Sequence, residues 1–482
     1  MTLMKVLLTL PPLHSPIKAN FVDSFDNESG QYPPIGLLYL AGYLLEHSQY
    51  EVHVLDPQAE KLSHEETIKR IVAIGPDVVG VHMLTFHLID SLKMIQNIKK
   101  ILPKTRIICG GPHVHIYPRE TLMQPGIDFT LVGECEQTFK IFLDYLENKC
   151  PITDVNALYY FDHEGNIQNT TRSPLLANLD ELPHPARNLL NPTFYSSVLA
   201  KQSVTTTLMT SRGCPYKCIY CDRPVFGKDF RARSPENVLE EIEQCIQLGI
   251  FEFNIFDDTF TIDRERVIAI CNLIIERKLP IRWTCRSRVH LVSEEILDRM
   301  KKAGCGRISF GIETADDKVG RILKKGSDID QAKYAIRATK AAGIEVLADF
   351  IIGSPGESRN GINKTISFAL EESPNYAQFS IMTPYPATPL YAMGLNTKLY
   401  KFDHWREFAR NPDPNWETPI WHENFTKREL IKIVKQAYFK FYFRPEYLFT
   451  QLRSLQSFNE LKRKARAGLK VFTTKFTPSL TA

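Results

Sequence analysis

The sequence predicts an α/β protein with two parallel-sheet units in series. An N-terminal Rossmann-like doubly wound parallel sheet fills 1–150, a linker with a small hairpin fills 151–204, a partial (β/α)6 barrel fills 205–395, and a mainly helical C-terminal extension fills 396–482. Three observations carry this reading. Short β-branched runs alternate with helical patterns through the first 150 residues, as in parallel sheets covered on both faces. The same rhythm returns from 205 for six strand–helix repeats, too few for a full eightfold barrel. Beyond 426, Leu430, Ile433, Val434, Ala437, Tyr438 and Phe441 recur at helical spacing before Pro445.

In the first unit the strands are KVLLTL (5–10), VHVLD (52–56), VVGVHML (78–84), RIICGG (106–111) and FTLVGE (129–134). Helices are expected at 35–48, near 65–74, around 88–101 and through QTFKIFLDYLEN. Doubly wound sheets bind ligands at the C-terminal ends of their strands, which here carry TLPP, LDPQ, MLTF, CGGPH and VGECE. No G-x-G-x-x-G follows the first strand, so a nicotinamide dinucleotide is disfavoured. The hairpin is NALYYFDHEGNIQNT, and the Pro-rich DELPHPARNLLNP after it reads as a linker wrapped on a neighbour. In the second unit the strands are expected at 205–211, 252–258, 282–287, 307–313, 345–353 and 376–386, with helices at 235–248, 263–277, 293–303, 316–323, 328–342 and 359–372.

Composition narrows the class. With 43% hydrophobic and 24% charged residues, the 482-residue chain is an ordinary globular sequence, and its net charge of +4 gives no reason to expect nucleic acid. The first apolar run stops at Pro11 and Pro12 without a small-residue cleavage site, which reads as a buried strand and not a signal peptide. No window matches the roughly 20 apolar residues of a membrane span. The expected compartment is the cytoplasm, where clustered cysteines stay reduced and suggest metal. The basic tail, dense in Lys and Arg through 462–475, is either a docked helical cap with a solvated face or a peripheral contact with anionic lipid or another acidic substrate.

The stretch SRGCPYKCIYCDRP (211–224) holds Cys214, Cys218 and Cys221 at C-x3-C-x2-C spacing. A structural zinc takes four ligands, usually as two pairs, and no second pair exists. Three thiolates suit a [4Fe–4S] cluster whose fourth iron keeps an open position. Gly213 and Pro215 suit a tightly curled loop, and Tyr220 is a ring placed to pack on a cofactor.

CPYKCIYC after a first barrel strand resembles the signature of the radical S-adenosylmethionine (SAM) enzymes. The resemblance implies that the open iron chelates the amino and carboxylate groups of SAM. Reductive cleavage then gives methionine and a 5′-deoxyadenosyl radical. FDDTFT (256–261) resembles the second-strand end near SAM, with Asp257 and Asp258 as candidates for its amino group and a helix N-cap as the alternative. GIET (311–314) resembles the segment near the methionine end, with Glu313 favoured. Arg286 or Arg288 of CRSR pairs with the SAM carboxylate, or forms an ordinary salt bridge. FIIGSPGES (350–358) resembles the turn near ribose and adenine, where Gly353 and Gly356 serve either ligand approach or a tight turn.

The pairing of the two units resembles the cobalamin (B12)-binding class of radical SAM enzymes, over about residues 1–450. This implies cobalamin at Thr85, Gly110, Gly111, Gly133 and Glu134. D-x-H-x-x-G is absent, because Gln58 and Lys61 stand in Asp56-Pro57-Gln58-Ala59-Glu60-Lys61, so no histidine lower ligand comes from this loop. The function expected is methylation of an unactivated carbon of a small molecule or lipid. The alternatives are radical cyclisation, ring contraction or oxidation, as in the tetrapyrrole-forming cyclases, and a tRNA methylthiotransferase. Partners expected are a small-molecule, lipid or tetrapyrrole substrate and a one-electron donor such as flavodoxin or ferredoxin. The aromatic residues of FSIMTPYPATPLY (379–391) line a substrate pocket or belong to barrel core.

Overall fold

The computed structural model describes residues 3–17, 30–197, 199–222 and 225–454. The basic run 462–475 lies outside them. The first sheet begins with β1 (Lys5–Thr9), β2 (Glu51–Leu55), β3 (Val78–His82), β4 (Arg106–Gly110) and β5 (Phe129–Leu131). Its order is β2-β1-β3-β4-β5, all parallel, and continues into β6 (Leu158–Phe161) and β7 (Ile167–Asn169) as an antiparallel hairpin. The hairpin expected in the linker is therefore the edge of the first sheet. The order reverses direction between β1 and β3, and a crevice for a ligand opens at the C-terminal ends of such neighbours.

Helices α1 (Ile35–His47), α2 (His64–Ile74), α3 (Leu88–Ile101) and α6 (Glu136–Leu146) cover the faces. Between β4 and β5 the chain forms two short helices, α4 (Pro112–Ile116) and α5 (Pro118–Leu122). Each starts on a proline at its first position, where the missing N–H costs nothing.

The second sheet joins β8 (Thr206–Leu208), β11 (Glu252–Ile255), β12 (Arg282–Ser287), β13 (Cys305–Glu313), β14 (Glu345–Ile352) and β15 (Tyr376–Ile381) in sequential order, every pair parallel. Five crossover helices link these strands: α7 (Pro235–Gln247), α8 (Arg264–Glu276), α9 (Glu294–Lys302), α11 (Ile329–Ala341) and α12 (Arg359–Glu372). A sixth, short helix, α10 (Asp317–Ile322), follows β13. Outward residues bury against these helices: Trp283, Phe310, Phe350 and Phe379 are almost wholly enclosed. A half-barrel leaves an open edge, and here α15 (Lys427–Tyr442) closes it. Tyr438 Oη accepts from Phe379 N at 3.0 Å, and Tyr442 Oη accepts from Ala377 N at 3.1 Å, so two donors of β15 are satisfied without another strand. The buried face of α15 is the one read from the sequence: Leu430, Ile433, Val434, Ala437, Tyr438 and Phe441.

Before α15, α13 (Pro389–Asn396) and α14 (His404–Arg410) return to the first sheet. Gln124 Nε2 donates to Ala409 O and Arg410 O at 3.1 and 2.9 Å. Phe408 is buried among residues of the first core. Tyr117, Tyr391, Tyr400 and Trp405 form an aromatic cluster between the units. Within 379–391, Phe379, Met382 and Tyr391 are thus core.

Candidate functional site: a three-cysteine loop between two sheets

The loop leaves β8 and is bracketed by the antiparallel pair β9 (Ser211–Arg212) and β10 (Arg231–Ala232). Gly213 closes its base: φ is +82°, and a Cβ there would lie 2.3 Å from Asp229 O. Cys214 and Cys218 are buried, Cys221 is half-buried, and no cysteine is in a disulfide. Between the last two, Ile219 plugs into Val319, Leu323, Met382, Leu390 and Trp421. Its backbone bonds Leu323 O at 3.1 Å and Leu390 N at 2.9 Å, so the loop is fixed at its centre as well as at its base.

Among the described residues no three His, Cys, Asp or Glu side chains converge as a single-ion site requires. A cube asks for something else, because each thiolate meets a different iron. The surroundings fit it. Arg288 Nη1 donates to Cys218 Sγ at 3.2 Å, which favours a thiolate, and its guanidinium lies over the Tyr216 ring at 3.9 Å. Arg288 Nε and Nη2 are buried with no partner. A buried guanidinium with two unspent donors beside a thiol is suited to a carboxylate arriving at that spot.

The two aspartates of FDDTFT separate. Asp257 is buried, and its carboxylate accepts from Thr210 N, Thr210 Oγ1 and Ser211 Oγ, each at 2.6 Å. It braces β8 beneath the loop. Asp258 is exposed. Neither caps the next helix, because Asp263 does so.

Glu313 ends β13 at φ +72°, where the ladder to β14 shifts register. A left-handed glutamate costs about 1–2 kcal/mol and persists where its surroundings over-determine it. Lys325 Nζ donates to Glu313 Oε1 at 3.0 Å and to Tyr220 Oη at 3.3 Å, and Tyr220 donates to the same Oε1 at 3.0 Å. Burial, then Glu313, drives the Tyr220 phenol well above its usual pKa. Lys325, in the chain's LKKG turn, was not a sequence candidate. Gly311 makes room for the trio, since a Cβ there would lie 2.5 Å from Glu313 Oε1 and 3.0 Å from Lys325 Nζ.

The glycines of the fifth-strand turn have structural reasons. Gly353 (φ +84°) meets Leu430 of α15, 2.8 Å from the position of a Cβ, and Gly356 (φ +67°) donates its N–H to Glu423 Oε2 at 2.9 Å. Glu357 Oε2 accepts from Gly353 N and Ser354 N at 2.7 and 3.0 Å, while burial pushes its carboxyl to about 7. Arg286 is exposed. Its guanidinium lies over Phe256 at 5.2 Å.

On the first sheet, Thr85 stands in the turn after β3, and its Oγ1 is 3.0 Å from His113 Nδ1. His113 Nε2 is buried without a partner. Burial lowers His82 and His87 to about 4 and His113 to about 3, so these rings are neutral. Gly133 (φ +88°) leaves an open ledge, with no atom within 4 Å of where a Cβ would stand. Gly111 (φ +100°) instead makes room for His82 and Met83, and Gly110 would tolerate a Cβ, 3.6 Å from Leu131 O. The loop after β2 turns inward: Gln58 Nε2 donates to Pro11 O at 2.8 Å, and Asp56 accepts from Tyr195 Oη at 3.0 Å. An open ledge and neutral imidazoles at the ends of the neighbouring strands β3, β4 and β5 suit a large flat cofactor laid on them.

Glu134 has another task. Arg231 donates to its two oxygens at 2.6 and 2.8 Å, and Leu176 N adds a third bond at 3.1 Å. Burial would raise this carboxyl, but Arg231 and Arg212 outweigh it and hold the pKa low. Next to it, Arg212 Nη2 donates to Glu136 Oε1 at 2.6 Å. The strand pair that brackets the cysteine loop is thus tied by two ion pairs to the C-terminal edge of the first sheet.

A half-barrel with a three-cysteine loop at its mouth, tied by two ion pairs to the strand ends of a doubly wound sheet, defines a radical enzyme with two cofactor-binding units. The radical SAM superfamily model matches residues 208–369, and the B12 binding domain model matches residues 26–143. An uncharacterized methyltransferase of Pyrococcus horikoshii is 35% identical over 475 residues, 98% of this chain and 99% of that one. An anaerobic magnesium-protoporphyrin IX monomethyl ester cyclase of Rubrivivax gelatinosus is 28% identical over 429 residues, 87% of this chain and 75% of that one. Among solved structures, the cobalamin-dependent radical enzyme OxsB, with aqua-cobalamin and SAM bound, superposes with a TM-score of 0.75 at 18% identity over 98% of this chain and 72% of that one. The methyltransferase TsrM of Kitasatospora setae, with cobalamin and a [4Fe–4S] cluster, gives 0.66 at 17% identity over 82% of this chain and 75% of that one. The chain belongs to the radical SAM enzymes that carry a B12-binding domain.

Proposed function

We propose that this enzyme transfers a methyl group to an unactivated carbon of a small molecule. The observation that carries the reading is the cysteine loop clamped by Glu134 and Glu136 to the strand ends of the other unit, which supports two cofactors acting on one substrate between them. When bound, the cluster with SAM supplies a primary carbon radical and the cobalamin supplies a transferable methyl group. Cys214, Cys218 and Cys221 hold the cluster. Arg288 takes the SAM carboxylate with its two unspent donors, and Asp258 its amino group. Glu313, held by Lys325 and Tyr220, meets the methionine end of SAM. Asp257 and Glu134 keep the platform rigid, and Thr85 with the Gly133 ledge accepts the cobalamin.

The likeness to the Pyrococcus horikoshii methyltransferase supports methylation. The likeness to the Rubrivivax gelatinosus cyclase supports a second reading, oxidation or cyclisation with the same cofactors. The electron comes from flavodoxin or ferredoxin in the cytoplasm. Among the described residues no helix is long and apolar enough to cross a membrane. The test is anaerobic reconstitution with iron, sulfide and cobalamin, then turnover with SAM labelled in its methyl group and an extract of the source cells. Label is expected in a product that has gained one methyl group in place of a hydrogen, 14 mass units plus the excess mass of the label. A product without label, lighter by hydrogen, would replace methylation with the second reading.

A further inference from the structure

Alternation along the barrel strands separates helix side from lumen. On β14, Val346, Ala348, Phe350 and Ile352 are buried, whereas Leu347, Asp349 and Ile351 are partly exposed. On β15, Tyr376, Gln378 and Ser380 share the partly exposed face. Asp349 pairs in register with Gly311 on one side and Gln378 on the other, so it stands in the lumen, below the Glu313–Lys325 pair that fills the space over Gly311. Among the described residues its carboxyl makes no hydrogen bond and no ion pair. Arg286, on β12, likewise has no hydrogen bond and no carboxylate partner, only the Phe256 ring. Arg286 pairs in register with Ser309, two residues before Gly311, so the two charges stand two strands apart and two residues out of step, with backbones about 12 Å from each other.

They sense one another without meeting. Burial first, then Glu313, raises the Asp349 carboxyl to about 7, while Arg286 pulls it down. Asp349 is partly exposed and Arg286 is exposed, so both reach the open lumen, where a ligand would meet a carboxyl and a guanidinium that no other side chain has taken. Arg288, beside Cys218, already suits the SAM carboxylate, which leaves Arg286 for another anion.

We propose that Asp349 and Arg286 are the substrate-recognition pair of the barrel lumen, selecting a water-soluble small molecule. One group of that molecule donates hydrogen bonds or positive charge to Asp349, and an anionic group pairs with Arg286. This rests on the reading above, in which SAM occupies the mouth of the barrel. It narrows the substrate to a polar, amphoteric compound and turns away from lipids and tetrapyrrole rings.

The test uses the reconstituted, reduced holoenzyme and reads 5′-deoxyadenosine formed from SAM. An extract of the source cells is split into aqueous and chloroform phases, and each is added separately. The proposal expects the aqueous phase to stimulate turnover. It also expects Asp349→Asn and Arg286→Gln to lose that stimulation at least about tenfold, with Asp349→Glu recovering part of it. Iron content and the thermal melt of each variant show that it is folded. Stimulation by the chloroform phase alone, by neither phase, or within twofold of wild type in folded D349N and R286Q overturns the proposal. A wild-type protein that carries its cluster but never cleaves SAM overturns the radical reading itself, a separate result.

Discussion

At the residue scale the site is a set of side chains each held by a second. Gly311→Ala tests one such support. The added Cβ must displace the Glu313–Lys325 pair, so SAM affinity, followed by equilibrium dialysis, is expected to fall about tenfold with little change in melting temperature. Cys214→Ala, Cys218→Ala and Cys221→Ala are each expected to lower the iron retained after reconstitution, read by iron assay and visible absorbance. The cysteines, Arg288 and Glu313 could be singled out as candidates because each stands in a short local pattern. Lys325 was not, since a lysine in a polar turn carries no mark of burial, and its partner is made by the strained end of β13. Asp349 did leave a signal, a lone charge inside the apolar run VLADFIIG, but an isolated acid in a strand has many ordinary explanations.

At the element scale the strands were readable from their apolar runs, because a parallel strand is buried on both faces. What pairs beyond the run was not: the hairpin 158–169 looks like linker until its register with β5 is seen. The edge closure by α15 predicts that Tyr438→Phe and Tyr442→Phe each destabilise the barrel by about 1–3 kcal/mol in urea unfolding, since each strands a buried N–H of β15. The strand ends of the first sheet carry a pH dependence. His82, His87 and His113 titrate below the unfolded value, so the folded state prefers neutral rings. The stabilisation they hold is complete above about pH 6.5 and is lost as pH falls toward about 4. Amide exchange in β3 and β4 is expected to quicken over that window while the barrel strands change less.

At the scale of the whole molecule, two units are joined by buried charge. The ties Arg231–Glu134 and Arg212–Glu136 span 97 and 76 residues, distances at which no local pattern exists. Arg231→Gln removes the two charged hydrogen bonds of the buried Glu134 carboxylate and leaves it Arg212 and Leu176 N, at a cost of about 2–4 kcal/mol, and calorimetry is expected to resolve two transitions where wild type gives one. The account depends most on an open iron at the three-cysteine loop. Mössbauer spectroscopy of protein reconstituted with iron-57, before and after addition of SAM, tests it directly. The account predicts about four irons per chain, with one of them changing its signal when SAM binds. A cluster in which no iron responds to SAM, or a protein that retains no cube at all, would contradict it.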